Sequence, residues 1–174
     1  MSFRTRDITF MSLTVVLLIA GGYLLYYMSL FFPVPGSKFI IMGTYLSLVV
    51  YFPMKKVNKL GTIALVSIIF GGILSIFTLF MGVAIILTGL LTDLTTLVIG
   101  RGYKNERVIL LSAAAYAFYS FMTSVYITNV VSGNMLYDVV SINVFLIVGF
   151  IIFILGFIGA KIGQMIYKRI GLRK

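Results

Sequence analysis

Two ionisable side chains stand inside long apolar stretches of this chain. Asp93 lies in Gly89-Leu90-Leu91-Thr92-Asp93-Leu94, and Lys161 in Gly156-Phe157-Ile158-Gly159-Ala160-Lys161-Ile162-Gly163. A charge in hydrocarbon is costly enough that such residues usually face a bundle interior and find a partner. Asp93 precedes Gly100 by seven residues, and Lys161 precedes Lys168 by seven. Helices descending to one boundary would therefore hold both groups roughly 10 Å above it. Equal depth predicts an intramembrane Asp93–Lys161 ion pair. The plainer arrangement has Lys161 snorkelling to the headgroups while Asp93 bonds a neighbouring hydroxyl such as Thr92 or Thr95.

A second group clusters around three short segments between apolar runs: Phe31, Phe32, Lys38, Phe39, Phe77, Phe80, Tyr126, Asn129, Asn134, Tyr137, Asp138 and Asn143. Stacking rings with a few oriented polar groups are what a pocket for a flat, partly polar small molecule requires. An interfacial aromatic belt draws on the same residue types. The amides Asn129, Asn134 and Asn143 favour a site, because they supply no hydrophobic anchoring. Tyr116 and Tyr119 lie deeper, as a pocket floor or as core packing. Lys38, beside this cluster, would suit a carboxylate or phosphate.

This chemistry is binding rather than bond-breaking. The chain has no His and no Cys, so a Ser–His arrangement, thiol catalysis and Cys-ligated metal are excluded. Asp93 has no second intramembrane carboxylate to form a dyad, and no Walker-type glycine loop is present. The expected protein is not an enzyme, carries no metal or resident cofactor, and depends on a partner or an ion gradient for any work it does.

The elements that must position these groups follow from composition. Of 174 residues, 61% are hydrophobic and 10% charged, with a mean hydropathy of +1.14. A soluble domain is about one quarter charged, so this is a polytopic membrane protein. Apolar runs of about 20 residues cross a bilayer. They predict an all-α integral membrane domain occupying the whole chain, with six spans near 8–32, 39–54, 60–78, 82–100, 108–128 and 139–167. The first run exceeds the apolar stretch of a cleaved leader, so it is expected to be retained. The second is expected to stop at Pro53, since proline removes a backbone donor.

Fourteen Lys and Arg face four Asp and Glu, a net charge of +10. The cations fall in short clusters between spans, so their natural partner is lipid headgroups rather than nucleic acid. Twelve of them (Arg4, Arg6, Lys55, Lys56, Lys59, Arg101, Lys104, Arg107, Lys168, Arg169, Arg173 and Lys174) fall on one side in this threading, with Lys38 alone opposite. The bias predicts both termini in the cytoplasm. It also predicts outward-facing segments near 33–38, 78–82 and 129–138. Gly156-x-x-x-Ala160, Gly159-x-x-x-Gly163 and Ala113-x-x-x-Ala117 have the spacing that lets helix backbones approach, and are expected to pack within the chain. There is no internal repeat of the kind that marks inverted-repeat transporters.

In size, span count and several local phrases the chain resembles the substrate-binding subunits of energy-coupling-factor importers of vitamins and micronutrients. Arg6-Asp7-Ile8 opens the first helix in that family's manner. Phe31-Phe32-Pro33-Val34-Pro35-Gly36 resembles its apolar first outer loop, Gly89 to Leu94 its fourth helix, and Gly156 to Gly163 its closing helix. The resemblance implies a subunit that captures a vitamin, vitamin precursor or similar small molecule outside the cell under the first loop. It implies docking on a coupling membrane subunit driven by two cytoplasmic ATPases, in the cytoplasmic membrane of a bacterium. Family members dock through small residues on helix one. Here Ile8, Ser12 and Val16 hold that stripe, so Ser12 and Val16 are the expected docking positions, with only Ser12 small. The alternative class is a structural or assembly subunit whose helices pack against a larger membrane complex.

Overall fold

The computed structural model describes residues 3–29, 31, 37–131 and 142–170. Among them the chain is helical throughout: α1 (Thr5–Ser29), α2 (Ser37–Val57), α3 (Thr62–Leu74), α4 (Leu79–Gly100), α5 (Glu106–Val131) and α6 (Ile142–Arg169). Hydrocarbon offers no partner to a bare peptide group, so each apolar run closes its hydrogen bonds internally as a helix. Five of the six are long and apolar enough to cross a membrane. The exception is α3, with 13 residues, about 20 Å of helix.

The expected third span is thus cut short. After Leu74 the chain turns through Ser75 to Thr78, with Ser75 N–H bonded to the Gly71 carbonyl at 2.8 Å. Hydropathy does not mark this turn, because Ile76, Phe77 and Leu79 are apolar and exposed. What fixes it is the close approach of α3 and α4. A Cβ on Gly71 would lie 2.7 Å from the Gly82 carbonyl, and a Cβ on Gly82 2.6 Å from the Gly71 carbonyl. A second correction concerns α2, which runs through Pro53 to Val57 instead of stopping there. One deleted N–H does not end a helix whose flanking Tyr51 and Met54 are fully buried. Asn58, with φ 53°, then takes the left-handed conformation that ends the element.

Around the bundle α1, α3, α4, α5, α6 and α2 follow one another as neighbours, and α2 also crosses the interior to touch α5. The most extensive packing joins α2 to α6. It depends on the small residues of the closing helix. Gly159 sits directly on the Thr44 backbone, and Gly163 on Leu48 and Tyr51. Gly156 meets Ser47 and Ala114. The main core joins Met11, Val15 and Leu18 of α1 to Val50, Tyr51 and Met54 of α2 and to Ile63, Val66 and Phe70 of α3. A smaller cluster of Ala117, Phe121, Val125 and Ile152, with Phe39 and Phe145 against it, fills the space among α2, α5 and α6 nearer the other end.

Contacts between Lys59 and Asp7, Lys55 and Glu106, and Tyr51 and Tyr167 put the start of α1, both the α2–α3 and α4–α5 connections, and the end of α6 at one end of the bundle. This is where the basic clusters lie, and it is called the basic end below.

Candidate functional site

A buried hydroxyl in a hydrocarbon-embedded bundle must find an acceptor or forfeit several kcal/mol. Helix α4 meets this demand with Thr88, Thr92 and Thr96, spaced four apart on one face. Their hydroxyls bond back to the carbonyls of Ala84, Thr88 and Thr92 at 2.8, 2.7 and 2.8 Å. Two of them also reach α5: Thr96 and Ser112 hydroxyls lie 2.7 Å apart, and those of Thr88 and Thr123 2.8 Å. Thr95, on the adjoining face, meets the Tyr119 phenol at 2.7 Å. Ser67 of α3 donates to the Tyr116 oxygen at 3.4 Å, and Ser47 of α2 to the Ala113 carbonyl at 2.8 Å. A polar seam therefore runs along the α4–α5 interface.

Asp93 stands beside the seam, toward α3, and its partners differ from the expected one. One carboxylate oxygen accepts the Ala64 N–H at 2.7 Å, with the backbone of Gly61 and Ile63 also directed at it. The other accepts the Tyr103 hydroxyl. The carboxylate thus caps the positive end of α3 and holds the α4–α5 connection. No Asp93–Lys161 ion pair forms. Lys161 is on an exposed position of α6, which packs on α2 and α5, whereas α4 packs on α3 and α5. Equal depth placed the two groups at one level but on different sides of the bundle. Thr92 and Thr95 are not the partners either, since they bond the Thr88 and Leu91 carbonyls. The residue that sequence reasoning missed is Tyr103. Its signal was a lone aromatic in the otherwise charged and polar segment Arg101-Gly102-Tyr103-Lys104-Asn105. Burial pushes its phenol well above the ordinary tyrosine range.

Further ties gather at the same end. Lys59 bonds Asp7 at 2.6 Å and lies over the Phe3 ring at 5.3 Å. The Tyr51 hydroxyl donates to Glu106 at 3.2 Å, and Lys55 stands 3.7 Å from the same carboxylate. Gln164 of α6 bonds it too.

The expected aromatic and amide site lies toward the opposite end. Phe39 is half-buried, edge-on to Phe121 at 5.4 Å, and Phe121 lies 6.5 Å from Phe145. Lys38 sits over the Phe39 ring at 5.4 Å. These residues come together, and Phe121 and Phe145 join them unforeseen. Phe31 is 83% exposed, and Phe77 and Phe80 are exposed at the α3–α4 turn. Among the described residues neither Phe77 nor Phe80 makes a ring contact with the Phe39 group. Tyr126 and Asn143 are exposed and Asn129 is half-buried. Tyr119 belongs elsewhere, in the α4–α5 seam with Thr95. Phe32, Asn134 and Tyr137 lie outside the described residues. Ser12 and Val16 both stand on the exposed face of α1.

A groove of about 420 Å³ opens on the outer surface of the bundle between α4, α5 and α6, lined by Thr95, Leu111, Phe118, Tyr119, Phe150 and Phe153 among others. It is walled almost entirely by carbon. Compared with protein-family models, with curated proteins and with solved structures, the chain matches none.

Proposed function

We propose that the chain is the substrate-capture subunit of an importer of the energy-coupling-factor type. In this reading it binds a vitamin, a vitamin precursor or a similar cofactor-like small molecule from the extracellular side. It delivers the molecule with a coupling membrane subunit and two cytoplasmic ATPases, both termini facing the cytoplasm of a bacterial cell. The observation that carries the reading is an asymmetry between the two ends. Among the described residues the ionic and carboxylate ties between elements are at the basic end: Asp7–Lys59, Lys55–Glu106–Tyr51, and Asp93 with Tyr103 and the start of α3. The Phe39 end, among the described residues, is joined chiefly by ring and aliphatic contacts, with the Thr88–Thr123 hydroxyl pair beside them. Directional bonds hold one end in a single arrangement, whereas apolar contacts can repack around a guest at modest cost. That is the construction a capture subunit needs, with a rigid base and an adaptable mouth. The exposed face of α1, with Ser12, Val16, Leu13 and Leu17, supplies a membrane-embedded surface on which a coupling subunit can seat.

The test is limited trypsin digestion of the purified protein with and without a small-molecule extract of rich medium. The expected result is slower cleavage after Lys38, with cleavage after Lys168 and Arg169 unchanged. Identical digestion at all three positions would remove the support for a ligand mouth and favour an assembly subunit instead.

A further inference from the structure

The α4–α6 groove and the charges beside it carry an inference that is independent of substrate capture. On α5, Leu111, Ala115 and Phe118 line the groove. Arg107 stands four residues before Leu111, so it heads the same helical stripe. On α4, Thr95 and Ile99 line the facing wall, and Arg101 follows directly as the left-handed residue that ends the helix. Lys104 lies in the short connection between them. All three cations are exposed, and none forms an ion pair with a described carboxylate. The described carboxylates are committed elsewhere: Asp7 to Lys59, Glu106 to Lys55 and Tyr51, and Asp93 to Tyr103 and α3. Three cations thus stand at the basic end of the two helices that wall an apolar groove, and among the described residues no carboxylate pairs with them.

The groove itself suits an alkyl chain better than a polar solute. Its hydroxyls, Thr95 and Tyr119, are already bonded to each other at 2.7 Å. The remaining wall is aliphatic and aromatic, and a volume of about 420 Å³ falls in the range of real ligand clefts. Along α5 the lining from Leu111 to Tyr119 runs about 12 Å, a concave track leading away from the charges. We propose that this groove binds one anionic glycerophospholipid, an acyl chain lying along α5 and the phosphate held by Arg101, Lys104 and Arg107. Charge complementarity selects the lipid: a zwitterionic headgroup would bring its own cation to a cluster that lacks anions.

The chain contains no Trp, which allows a direct test. A Phe150→Trp reporter in the groove and a Leu17→Trp reporter on the exposed face of α1 are placed in bilayers containing phosphatidylglycerol and phosphatidylcholine. In matched samples one lipid or the other carries brominated acyl chains. At the groove reporter, quenching is expected to correspond to about a threefold or greater excess of phosphatidylglycerol over its bulk fraction. At the α1 reporter it should follow the bulk fraction. Adding R101Q, K104Q and R107Q to the groove reporter should abolish the excess. Should that variant misfold by circular dichroism, Arg107→Gln alone is expected to remove about half of it. Equal quenching at the two reporters, an excess that survives neutralisation, or a groove reporter shielded from both lipids by a protein partner would each overturn the proposal.

Discussion

Tyr103→Phe is the sharpest probe of how the basic end is held. The substitution removes one oxygen and leaves the Asp93 carboxylate, buried between α4, the start of α3 and the α4–α5 connection, short of one donor. Hydrogen bonds to charged groups are worth about 1.5–3 kcal/mol. Interhelical hydrogen bonds within membranes average about 0.6 and reach about 1.7 kcal/mol, because the unfolded chain in lipid also finds partners. Here the acceptor is a carboxylate and the donor sits in a connection rather than a span, so the upper part of the membrane range applies. The expected loss is about 1.5 kcal/mol. Asp93→Asn should cost more, about 2–3 kcal/mol, since the cap on α3 weakens as well. The double variant should lose at least about 1 kcal/mol less than the sum. Because burial keeps the phenol protonated beyond its usual range, the native state binds this proton more tightly than the unfolded chain. Its contribution is therefore complete below about pH 10 and declines only above it, so the wild-type advantage should be flat from about pH 7 to 9. The assay is SDS-driven unfolding in mixed micelles followed by circular dichroism. Additivity within about 0.3 kcal/mol would refute the reasoning. So would a Lys161→Met variant that couples to Asp93→Asn, because Lys161 is expected to be silent.

Three further outcomes follow from particular contacts, each read by the same unfolding assay. The adjacent glycines of α3 should respond with opposite signs. Gly71→Ala drives a Cβ into the Gly82 carbonyl and should cost about 1–3 kcal/mol, whereas Gly72→Ala meets nothing within 4 Å and should gain about 0.5–1 kcal/mol. Gly159→Leu places a side chain on the Thr44 backbone and should prevent α6 from seating on α2, with loss of the folded fraction; wild-type unfolding behaviour would refute the α2–α6 crossing. Lys59→Gln removes an ion pair whose members are 29% and 19% exposed. It should cost about 1 kcal/mol or less, and the cost should shrink in high salt. A salt-independent effect would point to packing on Phe3 instead.

What the sequence disclosed, and what it hid, separates by range. Apolar runs and basic clusters are local signals, and they located the long helices and gathered their charged ends. The small residues Gly156, Gly159 and Gly163 also spoke plainly, because close backbone approach has few other uses in an apolar helix. Pro53 misled, since the rule that proline ends helices assumes solvent that can compete for the freed carbonyl. The turn after Leu74 was invisible because Ile76, Phe77 and Leu79 read as hydrocarbon in either conformation. The partner of Asp93 was the harder failure. Depth along a helix can be counted from its end, but which side a residue faces depends on the neighbour order of six helices, and that order is a tertiary property. For the same reason Phe39 was legible as part of a cluster, while its actual neighbour Phe121, and Phe145 beyond it, were not.

The proposed function requires that this chain hold a small molecule. Native mass spectrometry of the protein, purified gently from cells grown in rich medium, addresses it most directly. The expected spectrum shows one discrete non-lipid adduct near equimolar occupancy, lost when the Phe39 end is opened by Phe121→Ala. A spectrum of bare polypeptide and phospholipid adducts alone, unchanged by that substitution, would contradict the claim.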